Sequence, residues 1–207
     1  MIPTLPALPP LPGENEDYEY RPAGRSIIAL LAEEHEQLTE LSSELAAAEN
    51  PARELADVIT AAITRHLSAE EQYLYPTIRA MLPDGQRIAN REIERDTTLL
   101  KQLALLETMR PETQAFRDLA RSIDDDLHRH RQACTKQIFP QLRDTATEAD
   151  LIRLGNRVEV AKESAPTRPH PDSPATPPLN KVTDPALGVV DKVRDVVARR
   201  KTYPEDL

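Results

Sequence analysis

Residues 66–76 read HLSAEEQYLYP, and residues 130–140, HRQACTKQIFP, follow the same frame. Setting His130 over His66 puts Cys134 over Glu70, Phe139 over Tyr75 and Pro140 over Pro76. Side chains four apart share one face of an α-helix, so His66 and Glu70 can reach one centre, as can His130 and Cys134. Each frame then reads as a helix with a ligand-type pair on one stripe, bent or stopped by proline. In the second copy a thiol stands where the first has a carboxylate.

Composition narrows what such a pair of helices can serve. A chain of 207 residues holds one well-buried domain plus extensions. No run approaches the ~18 apolar residues that a membrane span requires. The amino terminus, MIPTLPALPPLPGENEDYEY, lacks the basic and continuous apolar regions of a secretory signal, and the expected location is the cytoplasm. The single cysteine, Cys134, agrees with a reducing compartment. A net charge of −9 argues against nucleic acid as partner, since phosphate binding needs a basic stripe.

Proline organises the chain. Residues 1–22 are proline-rich and then acidic, an extended arm. From Ser26, a suitable N-cap, apolar residues recur at helical spacing through Ile28, Leu31, Leu38, Leu41 and Leu45 until ENP at 49–51. Further helices are expected from about Pro51 to Leu82, Asp84 to Met109 and Glu112 to Arg143, with PDG and RP as breaks. Four long helices with short joints predict an all-α fold, an up-down-up-down four-helix bundle. A shorter helix over 147–163 completes a bundle domain of residues 23–162. Residues 163–184 read as a proline-rich linker. Residues 185–207 carry a short amphipathic helix with Asp184 as N-cap, Pro185 at its first position, and Val189, Val193 and Val196 on one face. That face suits packing on the bundle or on a second subunit of a homodimer.

Every long helix places a ligand-type residue on its inward stripe. The stripes run Ile28, Leu31, His35, Leu38; then Ile59, Ile63, His66, Glu70, Tyr73 or Leu74; then Ala89, Ile93, Asp96, Leu100, Leu103; then Ile123, Leu127, His130, Cys134, Ile138. Burying such groups is costly unless they are paired, neutralised or bound to metal, and a metal satisfies all of them together. Imidazole with carboxylate suits iron, manganese or zinc. His128, among Asp124, Asp125, Arg131 and Thr135, falls on the solvent face. Cys134 has two readings, a small buried hydrophobe and a ligand or redox sensor.

These residues resemble the hemerythrin-like, or HHE cation-binding, domain, whose pattern is a lone His, His-x-x-x-Glu, a second lone His, and another His-x-x-x-Glu. The matching stretches are EEHEQL with His35, HLSAEEQYLYP with His66 and Glu70, IERDTTLL with Asp96 at the second lone His, and HRQACTKQIFP with His130 and with Cys134 at the last Glu. The resemblance covers roughly residues 24–143, and TRPHPDSPATPPLN followed by VVDKVRDVV looks like the carboxyl-terminal extension of bacterial members. It implies non-haem iron as cofactor, a di-iron pair or a single ion, held by His35, His66, Glu70, Asp96, His130 and Cys134. The small ligand would be O2, nitric oxide or peroxide, with peroxide turnover as an enzymatic variant. Asp96 exchanges a neutral nitrogen ligand for an anionic oxygen, and a thiol at 134 is a poor replacement for a bridging carboxylate. Glu92, one turn before Asp96, offers a further carboxylate or lies on a solvated face. The alternative is a metal-free bundle serving as a protein-interaction module.

Overall fold

Ser26 stops the extended lead-in of the chain, and its Oγ accepts a hydrogen bond from the Ala29 N–H at 3.3 Å. Helix α1 (Ile27–Ala47) follows. The computed structural model describes residues 22–172 and 180–207; most of the amino-terminal arm and residues 173–179 of the linker lie outside them. Next come α2 (Arg53–Ala69), a π-helical turn (Glu70–Leu74) and α3 (Tyr75–Met81), which together form one bent helix. Helix α4 (Gly85–Thr108) returns. Then α5 (Gln114–Ala133), capped by Thr113, runs through a second π-helical turn (Cys134–Ile138) into α6 (Phe139–Thr145). The neighbours α1–α2, α2–α4, α4–α5 and α5–α1 close a four-cornered bundle. The described residues contain no strand, and none of their helices is long and apolar enough to cross a membrane.

The two π-helical turns have a common cause. Pro76 and Pro140 have no N–H, and in a regular α-helix each ring would collide with the carbonyl four residues back. The wider turn removes that conflict: the Tyr75 N–H reaches back to the Glu70 carbonyl, and the Phe139 N–H to the Cys134 carbonyl. One extra residue rotates the rest of the helix by about 100°. The inward stripe of the second helix therefore continues through Leu74, Tyr75 and Ile78, all fully buried, whereas the sequence period alone reaches Tyr73 or Leu74.

The core divides into two apolar clusters. One gathers Ile28, Leu31, Tyr75, Ile78, Ile138 and Phe139, and the other Leu38, Ile59, Ile63, Leu103, Phe116 and Ile123. Where the two clusters meet stand His35, His66, Glu70, Asp96 and His130, all buried.

Helix α7 (Glu148–Ser164) lies across α1 and α2. Gly155 permits the crossing, because a Cβ there would stand 2.0 Å from the Arg25 carbonyl oxygen. Helix α8 (Asn180–Ala198) begins before Pro185, which lies inside it instead of opening it. Of the two readings of its valine face, packing on the bundle is not what the structure shows. Asp184, Asp191 and Asp195 are buried, while Val189, Val190, Val193, Val196 and Val197 are exposed. Fixed polar partners from elsewhere in the chain hold the aspartates inward. His170 Nε2 lies 2.9 Å from Asp191 and Arg168 Nη2 2.7 Å from Asp195. The Asp184 carboxylate accepts from Ser68 Oγ at 2.6 Å and Gln72 Nε2 at 3.2 Å. Arg200, its side chain covered, donates to the Thr167 carbonyl at 2.9 Å and to Asp195 at 3.4 Å and forms an ion pair with Glu107 at 2.7 Å.

Two consequences are measurable. Gly155→Ala gains up to about 1 kcal/mol of helix propensity but drives a methyl into backbone, for a net loss of about 1–3 kcal/mol. A thermal melt in which Gly155→Ala is more stable than the parent would contradict the α1–α7 crossing. Arg200→Ala removes one of the two guanidinium groups that face Glu107 and Asp195, Arg168 remaining, and should lower the opening free energy of α8 by about 1–3 kcal/mol. Hydrogen exchange reads this as loss of protection over 184–198 with α1, α2 and α5 unchanged.

Candidate metal centre

Three of the four corners of the bundle contribute to one small polar volume. His35 comes from the middle of α1, His66 from the last turn of α2, Glu70 from the start of the first π-helical turn, and His130 from the last turn of α5. One ligand-type atom from each lies within 4.8 Å of all the others, and this is the group among the described residues able to hold a metal ion. Glu70 is its hub. Its Oε1 lies 3.4 Å from the Nε2 atoms of both His35 and His66, and its Oε2 lies 3.1 Å from Nε2 of His130. The Nε2 atoms of His35 and His130 approach to 3.0 Å.

Charged groups behind the ring set their orientation. The Glu34 carboxylate lies 2.9 Å from Nδ1 of His66 and is also bonded by the Lys162 ammonium of α7. With Nδ1 donating to Glu34, Nε2 of His66 is turned inward toward Glu70, and a metal ion would take the place of its proton. Asp96 stands on the corresponding side of His130 as a charged neighbour and not a hydrogen-bond partner, Oδ1 being 3.7 Å from Nδ1. The Tyr75 hydroxyl lies 3.0 Å from Glu70 Oε2 and also contacts Asp96 Oδ2. Its counterpart in the repeat, Phe139, stacks on the His35 ring with centroids 5.8 Å apart.

The electrostatics follow from burial without water. Burial would push the Glu70 carboxyl upward, but the imidazoles of His130 and His66 outweigh it and hold Glu70 well below the usual range. Burial likewise opposes charge on His66, and Glu70 with Glu34 overcomes it, raising the ring to about 10. His130 is raised for the same reason, by Glu70 and Asp96. His35 has no such second carboxylate. Burial and its two imidazole neighbours drive it down to about 3, so it stays neutral. Burial, helped by the Glu70 charge, raises Asp96 to about 7 against the pull of His130. The residues fit a cation: among the described residues, Nε2 of His66 and Oε1 of Glu70 are buried, face each other and make no hydrogen bond. Buried polar atoms of native proteins are nearly always satisfied, and a metal ion would satisfy both.

Of the residues singled out in the sequence, His35, His66, Glu70 and His130 come together, while Asp96 and Cys134 lie outside that group of four. Asp96 is at its edge, beside Tyr75 and His130. Cys134 is buried in the apolar cluster with Ile138 and Phe139. Glu92 is not on a solvated face; it is fully buried, with Arg91 at 2.7 Å and Arg95 at 3.2 Å over its carboxylate. His128 lies on the half-exposed rim, bonded to Ser43 at 3.2 Å. Glu34 and Tyr75 were not among the candidates. The signal for Tyr75 was the shared proline frame, which places an aromatic five residues after each ligand position.

Residues 26–148 match the hemerythrin HHE cation binding domain. An uncharacterized hemerythrin-like protein of Schizosaccharomyces pombe is 22% identical over 138 residues, 66% of this chain and 68% of that protein. No solved structure matches the chain.

The surroundings of Cys134 make its reactivity a test of the site. Burial first, and then the charges of Glu70, Glu92 and Asp96, push its thiol well above the ordinary range. Alkylation of the native metal-free protein at neutral pH should run at least about a hundredfold slower than in denaturant. Equal rates in the two conditions would place residue 134 at the surface, and His130 with it.

Proposed function

The chain belongs to the hemerythrin HHE cation-binding domain family, and from that premise we propose that it holds a single non-haem iron ion among His35, His66, Glu70 and His130 and presents it to a small ligand of the O2, nitric oxide or peroxide class. The observation that supports this most directly is the unsatisfied pair at the hub, His66 Nε2 and Glu70 Oε1, buried 3.4 Å apart. Three imidazoles and a carboxylate suit iron, although manganese and zinc share the preference.

An iron ion bound there would supply an open coordination position for the ligand. The chain's own groups do the rest. Glu34 and Asp96 orient the rings of His66 and His130. The Tyr75 hydroxyl holds a proton against Glu70 Oε2 and Asp96 Oδ2, and so fixes the carboxylate that the imidazoles share. Phe139 and the apolar clusters on either side exclude water. The second half of the family pattern offers Asp96 and Cys134 where a second iron would need His and Glu, which favours one ion over two.

Elemental analysis after anaerobic loading with ferrous iron and desalting should return about one iron per chain. His66→Ala or Glu70→Ala should strip it, and His128→Ala should leave it unchanged. Asp96→His with Cys134→Glu should raise loading toward a second ion. A metal-free product from the unsubstituted chain, or full loading of His66→Ala, would refute the assignment.

A further inference from the structure

Two openings reach the polar layer from different sides. The wider, 490 Å³, lies among α1, α2, α7 and the carboxyl-terminal turn, with Tyr203, Pro204 and Glu205 on its rim. It ends against Glu34 and His66. What it meets there is the outward side of the His66 ring, because Glu34 covers Nδ1 and is itself tied down by Lys162. The narrower opening, 120 Å³, lies between α4 and α5 and is lined by Arg95, Asp96, Leu99, Asp126, Arg129 and His130. It ends on Asp96 and His130, and Nδ1 of His130 makes no hydrogen bond among the described residues.

The two differ in what they admit. In the wider opening a carboxylate and an ammonium, held together and to the ring, stand between solvent and the centre. In the narrower one the side chains at the mouth, Arg95 and Arg129, are more than half exposed, and each is occupied by a carboxylate of its own helix, Glu92 and Asp126. With Asp96 and Asp126 in the lining and Glu92 beside Arg95, the two guanidinium charges are balanced, and the opening discriminates by size. The space holds several waters but no organic ring system of any size.

We propose that the α4–α5 cleft is the port through which the small ligand reaches the centre, that it admits molecules of a few atoms, and that the wider opening is closed to them by the Glu34–Lys162 pair. This rests on the metal reading given above. Leu99 forms the apolar wall of the port, and Asp96 with His130 its inner end.

The test places a removable plug at each mouth. Arg129 and Glu159 are exposed, so Arg129→Cys and Glu159→Cys should fold, and the native thiol at 134 is buried and will not compete for label. Each variant is loaded with ferrous iron, capped with a bulky disulfide-forming reagent, oxidised to the ferric form with ferricyanide, assayed for metal content, and mixed with azide while its charge-transfer band is followed. Capping residue 129 should slow azide binding roughly tenfold or more, since passage then waits on local opening, and removing the cap with reductant, followed by desalting and reoxidation, should restore the rate. Capping residue 159 should leave it within about twofold. Undiminished binding with residue 129 capped, or slowing confined to residue 159, overturns the port while leaving the metal reading intact. Failure of the unsubstituted chain to hold iron overturns both.

Discussion

A carboxylate with no exposed surface, Glu70, sets the terms for the middle of this bundle. An anion that deep in a protein is several kcal/mol uphill unless its charge is met on the spot. Here His66 and His130 meet it with positive charge, His35 with a neutral ring, and Tyr75 with a hydroxyl. Those partners need partners in turn, and Glu34 and Asp96 take that role at the next remove. The polar layer therefore has depth, and it separates the core into two apolar blocks. A cation at the hub replaces protons in this scheme without altering the arrangement around them.

The paired π-helical turns bring the aromatic residues to that layer. In one half the extra residue turns Tyr75 inward, where its hydroxyl reaches two carboxylates. In the other it turns Phe139 inward, flat against His35. One backbone irregularity thus yields a polar wall and an apolar wall, and the difference lies in a single oxygen atom.

The bundle was legible because proline, glycine and the helical period all speak locally. Breaks at 49–51, 83–85 and 110–111 separate stripes that the sequence shows directly. The inward histidines were legible for the same reason, since His35, His66 and His130 each interrupt an apolar stripe. Tyr75 was not, because a strict period assigns the inward position to residue 73 or 74 and cannot show the added residue. Glu34 was not, because its partner His66 belongs to another helix and the pairing has no sequence spacing. The orientation of α8 was not legible for a third reason. Periodicity ranks faces by hydrophobicity, but here Arg168, His170 and Arg200, brought from elsewhere in the chain, make the acidic face the one that docks.

That inverted docking divides the molecule by solvent variable. The bundle is held by apolar contact, which salt at moderate concentration scarcely weakens. Helix α8 and the tail after it are held by ion pairs, of which Lys201–Glu54 and Arg168–Glu107 reach water and are screened by added electrolyte, while those of the buried aspartates are screened much less. Ionic strength is therefore a handle that acts on one part of the chain and leaves the other in place. Raising it loosens the carboxyl-terminal clasp and the rim it contributes to the wider opening, while the histidine layer beneath keeps its geometry.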